Sequence, residues 1–208
     1  MVEYNVKIVA IGEWKGGRQD MQRWRSLLLI AVILLAVYYI SGNRFTAIGA
    51  AEANDMVTSD FELIEQHETG SSAILLYKSD DKKEYRTVLA EKSGLFFRSS
   101  ASTYIPYLSD KVQTVGGMSS TSDQGALTFL SVVSSDKRVA YIEAGIGADR
   151  KRKAVEAGQR VSFLFPYSQQ VDQLDAKAFD ESGQELYYYG YPKEAVNIFD
   201  DKDLKWHE

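Results

Sequence analysis

The chain has 208 residues, 24 Lys and Arg against 29 Asp and Glu, a formal net charge of −5, and no cysteine. The missing cysteines exclude disulfides, thiolate metal sites, a cysteine nucleophile and a lipid-modified cysteine anchor. From Phe45 onward 26 acidic residues face 18 basic ones, a balance unsuited to nucleic acid, whose binding rests on neutralising phosphates.

Residues 1–20 are too short for a core, and Gly12, Gly16 and Gly17 interrupt any helix. Lys15-Gly-Gly ahead of Met21 is what a purine-rich ribosome-binding site spells when translated in frame. Met21 is therefore a candidate initiator. The alternative is a short cytoplasmic tail in which the apolar run Val6 to Gly12 forms a strand or turn.

No charge lies between Arg25 and Arg44, and Leu27 to Ile40 is apolar throughout. With Ser26, Ser41 and Gly42 the run reaches the short end of what crosses a bilayer. Trp24, Tyr38 and Tyr39 stand at its ends, where amphipathic rings favour the headgroup layer. Residues 21–44 are expected to form a signal-anchor that engages the membrane through residues 26–42. The alternative is secretion after cleavage near Ala51 or Ala53, where small residues meet the signal-peptidase rule. Arg23 and Arg25 precede the run closely and only Arg44 follows closely. The expected topology is a single pass of the cytoplasmic membrane, N-terminus inside and C-terminal domain outside.

Residues 45–58 are alanine-rich and read as a linker. Residues 59–192 read as a β-rich extracytoplasmic domain, and 193–208 as a tail that frays unless Val196, Ile198, Phe199 and Trp206 pin it. Ser59 to Glu62 resembles a helix capping box, but alternation through Phe61, Leu63, Glu65 and His67 favours a hairpin into Ala73–Tyr77. Tyr85–Ala90 and Leu95–Arg98 form a second hairpin across Gly94. Ser99 to Gly125 reads as a long loop, with Tyr104 to Leu108 as its one apolar cluster. Such loops are commonly functional, so a ligand surface is sought there first. Strands are expected at Ala126–Val133, Arg138–Ala144, Arg160–Phe165, Leu174–Phe179 and Glu185–Tyr191, with a turn at Asp180–Gly183. The fold class is mainly β: an N-terminal transmembrane helix, then an antiparallel β-sandwich-like or barrel domain.

Ala73-Ile-Leu-Leu-Tyr-Lys78, Tyr85-Arg-Thr-Val-Leu-Ala90 and the segment Ala176 to Tyr187 resemble small exported or membrane-anchored β-rich proteins of Gram-positive bacteria. The hairpin around Asp180–Gly183 also resembles the last strand pair of immunoglobulin-like modules. The resemblance implies location and a β fold, and it carries no catalytic residue.

Ser79-Asp-Asp-Lys82 and Ser134-Ser-Asp-Lys137 match the Ser-x-x-Lys spacing in which a lysine can activate a serine, but both fall in turn-like stretches and lack partner motifs. His67 and His207 are the only histidines, and Asp200 to Asp203 lacks the glycine and distal glutamate of a calcium loop. No catalytic, cofactor or metal residue is assigned. Two contact candidates stand against plainer readings. Arg150, Lys151, Arg152 and Lys153 suit an anionic polymer or headgroups, or are simply an exposed loop. Tyr187, Tyr189 and Tyr191 suit an aromatic contact, or are ordinary strand composition. The expected function is a non-enzymatic module that binds, senses or scaffolds, with an envelope polymer or another membrane protein as partner and nucleic acid excluded. The alternatives are an envelope hydrolase built on dispersed carboxylates and serines, or an accessory subunit of a membrane complex.

Overall fold

The computed structural model describes residues 16–193 and 203–208. The run Val6 to Gly12 and the residues Val196, Ile198 and Phe199 lie outside that range. The chain divides into two compact units, 1–41 and 42–208.

The first unit holds helix α1, Gly16–Ile40. Leu27 to Ile30 and Val32 to Leu35 are all exposed, so consecutive positions around the helix carry uncovered apolar side chains. A water-facing helix instead presents a polar stripe. Met21–Ile40 is long and apolar enough to cross a membrane. The Ser41 hydroxyl donates to the Tyr38 carbonyl at 2.7 Å, and Gly42 follows at φ +93°, the left-handed conformation that ends helices.

The second unit is mainly β, and all its strand pairings are antiparallel. It begins with α2, Ala47–Glu52, whose N-cap Thr46 accepts from the Gly49 amide. The strands are β1 (Glu62–Thr69), β2 (Ser72–Ser79), β3 (Glu84–Ser93), β4 (Phe96–Pro106), β5 (Val112–Ser122), β6 (Gly125–Ser134), β7 (Tyr141–Ala144), β8 (Lys151–Ala154), β9 (Arg160–Phe165), β10 (Lys177–Phe179), β11 (Glu185–Gly190) and β12 (Lys205–His207). Sheet 1 has the order β1-β2-β3-β4, sheet 2 β5-β6-β9, and sheet 3 β12-β11-β10-β7-β8.

Burial explains the layering. One face of β2 and β3, with Ala73, Leu75, Tyr77, Val88 and Ala90, packs on Ala47, Ala50 and Ala51 of α2. The opposite face, with Ile74 and Leu89, packs on Met118, Leu127 and Phe129 of sheet 2. The other side of sheet 2, including Leu130, Val132, Phe163 and Phe165, packs on Ile142, Ala178 and Tyr187 of sheet 3. A strand covered on both faces reads as a continuous apolar run rather than an alternation, which accounts for Ala73-Ile-Leu-Leu-Tyr77.

Several expectations are corrected. The expected linker contains packed structure, since Ala47, Ala50 and Ala51 of α2 and Val57 are buried against sheet 1. Most of Ser99–Gly125 is strand. β4 runs on to Pro106, and β5 pairs with β6 from Val112 to Ser122. Its small residues reflect close packing: a Cβ on Gly116 would lie 3.0 Å from both Leu76 and Phe129. Lys151, Arg152 and Lys153 of the cationic cluster lie in edge strand β8, paired with β7, and Arg150 precedes it. The strand expected over Leu174–Phe179 is split at Asp175, which takes a left-handed φ of 46° between a short 3-10 turn (Val171–Leu174) and β10. Trp206 does pin the chain end: it is buried, and β12 pairs with β11.

Candidate functional site

A groove of about 540 Å³ opens where the end of β4 and the start of β5 approach β11 and β12. Tyr104 and Leu108, from the apolar cluster seen in the sequence, form its outer wall, and Tyr104 is 64% exposed. Strand pairing of β12 with β11 brings Trp206 beside Tyr189, with ring centroids 5.6 Å apart. The Trp206 indole N–H donates to the Thr114 hydroxyl at 3.1 Å, so this buried polar atom is satisfied across the groove floor. Burial raises the Tyr189 phenol to about 12, partly offset by a hydrogen bond with Thr114. It is therefore a neutral hydroxyl at physiological pH. Asp110 and Lys205 stand among the lining residues. An apolar, aromatic cleft with a few polar groups is the usual form of a small-molecule or polymer-segment site.

Of the three tyrosines singled out in the sequence, Tyr189 reaches this groove. Tyr187 is buried, its hydroxyl 2.7 Å from Asp136 and 2.9 Å from Glu208. Burial and these carboxylates push its phenol up, and Arg138 holds the Asp136 carboxyl well below its ordinary range. Tyr191 is half-buried beyond the end of β11. On the opposite face of β11, Tyr188 stacks on His207 and carries the Lys193 ammonium 4.0 Å above its ring.

The three cations of β8 alternate, as strand geometry requires, and Arg150 stands just before the strand. Arg150 and Arg152 meet Glu143, at 3.2 and 2.6 Å, and Arg150 also binds Asp175. Burial would raise the Glu143 carboxyl, but the two guanidiniums outweigh it and hold it below its ordinary value. Lys151 and Lys153 donate to the backbone carbonyls of Leu164 and Ser162, at 2.5 and 2.6 Å. These two carbonyls lie along β9, which borders sheet 2. The ammoniums also lie over the rings of Phe165 and Phe163. All four charges thus have partners within the chain, and Arg152, at 63% exposure, is the more open of the two arginines.

A polar cluster between sheets 1 and 2 was not foreseen. Glu65 accepts from the Arg160 guanidinium at 2.7 Å and from the Ser162 hydroxyl at 2.8 Å, while His67 Nε2 lies 2.5 Å from its other oxygen. Ser162 also contacts Ser131 at 2.8 Å. Burial would raise the Glu65 carboxyl, but the hydrogen bonds from Ser162, His67 and Arg160 prevail and lower it from its ordinary 4.5. The signal available in the sequence was a carboxylate and an imidazole at alternate positions of an otherwise apolar pattern. Arg160, 95 residues away, has no local signature. A serine nucleophile needs the imidazole between serine and acid, whereas here the carboxylate is the middle member.

The Ser-x-x-Lys matches are turns. Ser79 donates to Asp60 at 2.7 Å and caps the Lys82 amide at 3.1 Å, while the Lys82 ammonium binds Thr58. Hydrogen bonds from Thr58 and Ser79 hold the Asp60 carboxyl down at about 2. Ser134 caps the Asp136 amide in the same manner. Among the described residues no three His, Asp or Glu side chains gather as a metal site. No family model, curated protein or solved structure matches the chain.

Proposed function

We propose that the protein is a non-enzymatic, single-pass membrane module whose β unit lies outside the cytoplasm and holds a segment of an uncharged envelope polysaccharide in the Tyr104–Tyr189–Trp206 groove. The observation that carries this reading is the groove itself, which joins Tyr104 and Leu108 of the Ser99–Gly125 stretch to Tyr189 of the tyrosine run. Aromatic faces suit the apolar faces of sugar rings, and hydroxyls and a carboxylate at the margin suit their edges. The uncovered apolar surface of α1 supports the anchor, and Arg23 and Arg25 ahead of it support the inside location of the N-terminus. The burial of Ala47, Ala50 and Ala51 in the β unit favours retention over cleavage near Ala51 or Ala53, which would strip those side chains from their packing. Sheets 2 and 3, packed face to face, support the sandwich-like description. The β10–β11 hairpin is the one feature favouring an immunoglobulin-like relation.

Binding is favoured over hydrolysis by the carboxylate-centred order of Ser162, Glu65 and His67 and by the engagement of Lys82 with Thr58. The test is equilibrium binding of purified envelope glycan to the full chain in vesicles. Tyr104→Ala is expected to weaken binding about tenfold, as loss of an exposed aromatic contact does, while Arg152→Ala leaves it unchanged. Binding only of a phosphate-bearing polymer, lost in Arg152→Ala and kept in Tyr104→Ala, would move the site to β8. Glycan binding indifferent to Tyr104 would remove the groove from the reading.

A further inference from the structure

We infer that the tip of the β3–β4 hairpin, Leu95 with Phe96 and the adjoining Phe45, rests in the headgroup layer of the same bilayer that holds α1. The inference depends on the anchor reading of α1 and goes beyond it by giving the β unit its own lipid contact.

Leu95 is 79% exposed, more than any other large apolar side chain described in the second unit, and Phe45 is 59% exposed. The tip is built to present them. Gly94 takes φ +62°, which turns the chain so that Leu95 leads β4. Phe45 and Phe96 then meet with ring centroids 4.7 Å apart. Arg44 is tied to the start of β4 by two backbone hydrogen bonds with Phe97, of 2.8 and 2.6 Å. This clamp matters because of chain length. Only three residues separate Ile40 from Arg44, so the tether between α1 and the clamped segment is short.

The surrounding charge fits an anionic membrane surface. Arg44, Lys92 and Arg98 flank the apolar tip, and cations near such a surface are attracted within the screening length. The neighbouring acid, Glu91, accepts from Ser122 on β5. Aromatic rings with flanking cations are what the interfacial layer favours, and Leu95 at the hairpin tip, next to Phe45, adds an exposed apolar contact.

The absence of native cysteine allows single-cysteine labelling of the full chain. Leu34→Cys, Leu95→Cys and Glu181→Cys would each carry an environment-sensitive fluorophore in vesicles of phosphatidylcholine and phosphatidylglycerol. Glu181 is exposed and sits with Lys137–Ala140, at the end of β6 opposite to Gly125 and Glu91. Lipids brominated at shallow and deep positions serve as quenchers. The expected result is deep quenching at Leu34, shallow quenching with a blue shift at Leu95, and neither at Glu181. Lys92→Ser with Arg98→Ser should reduce the Leu95 quenching in phosphatidylglycerol-containing vesicles. An unquenched Leu34 label would overturn the anchor reading. A quenched Leu34 with Leu95 as dark to lipid as Glu181 would overturn the tip contact alone. Lipid-independent cross-linking of Leu95→Cys into dimers, without quenching, would assign the patch to a second copy and equally overturn it.

Discussion

At the scale of single residues, Glu65 shows how a buried charge is kept in a β core. Desolvation penalises its carboxylate, and a guanidinium, a hydroxyl and an imidazole compensate. The sign of the pH effect follows from the lowered folded pKa. Glu65 stabilises the protein fully above its ordinary value of 4.5, and that contribution drains away as pH falls through the lower folded value. Glu65→Gln is expected to cost about 2 kcal/mol at pH 7, less than breaking a fully dry pair, because the side chain keeps 18% exposure. Denaturant titrations should show wild type losing more stability than the variant as pH falls below about 5. Equal losses would mean that Glu65 is not the group responsible. The glutamate could be flagged from the sequence as a charge in an apolar pattern, but its arginine partner could not, because the pairing is made by sheet packing.

At the scale of elements, β8 explains what four consecutive cations do in an acidic domain. Alternation sends the arginines to Glu143 and the lysines to carbonyls along β9. An edge strand presents unpaired backbone groups that invite another chain, and Lys151 and Lys153 satisfy two of them while joining sheet 3 to sheet 2. Lys151→Ala with Lys153→Ala should therefore cost about 1–2 kcal/mol and raise amide exchange locally in β8 and β9. Unchanged exchange there would reduce the lysines to surface charges. The motif was legible as a charge run, and its strand state was not, since lysine and arginine have weak strand preference. Ser99–Gly125 failed in the same way. Its serines, threonines and glycines resemble loop composition, while at Gly116 a side chain would crowd Leu76 and Phe129.

At the scale of the whole molecule, two compact units are joined by a few residues, and the consequences concern location. Native protein is expected in the carbonate-resistant membrane fraction with an intact mass that includes α1. A soluble form starting after Ala51 or Ala53 would show that the signal is removed, at the expense of the α2 packing.

The sequence by itself determined the apolar span, its flanking charges, the two N-terminal hairpins and the mainly β class, because length, charge and periodicity are local quantities. Only the tertiary structure decided that Ala47, Ala50, Ala51 and Val57 belong to the core, that most of the serine- and glycine-rich stretch is strand, and that Tyr104, Tyr189 and Trp206 share one groove. Those outcomes depend on which faces meet, and contacts across the sheets between residues about a hundred positions apart leave no pattern in the chain.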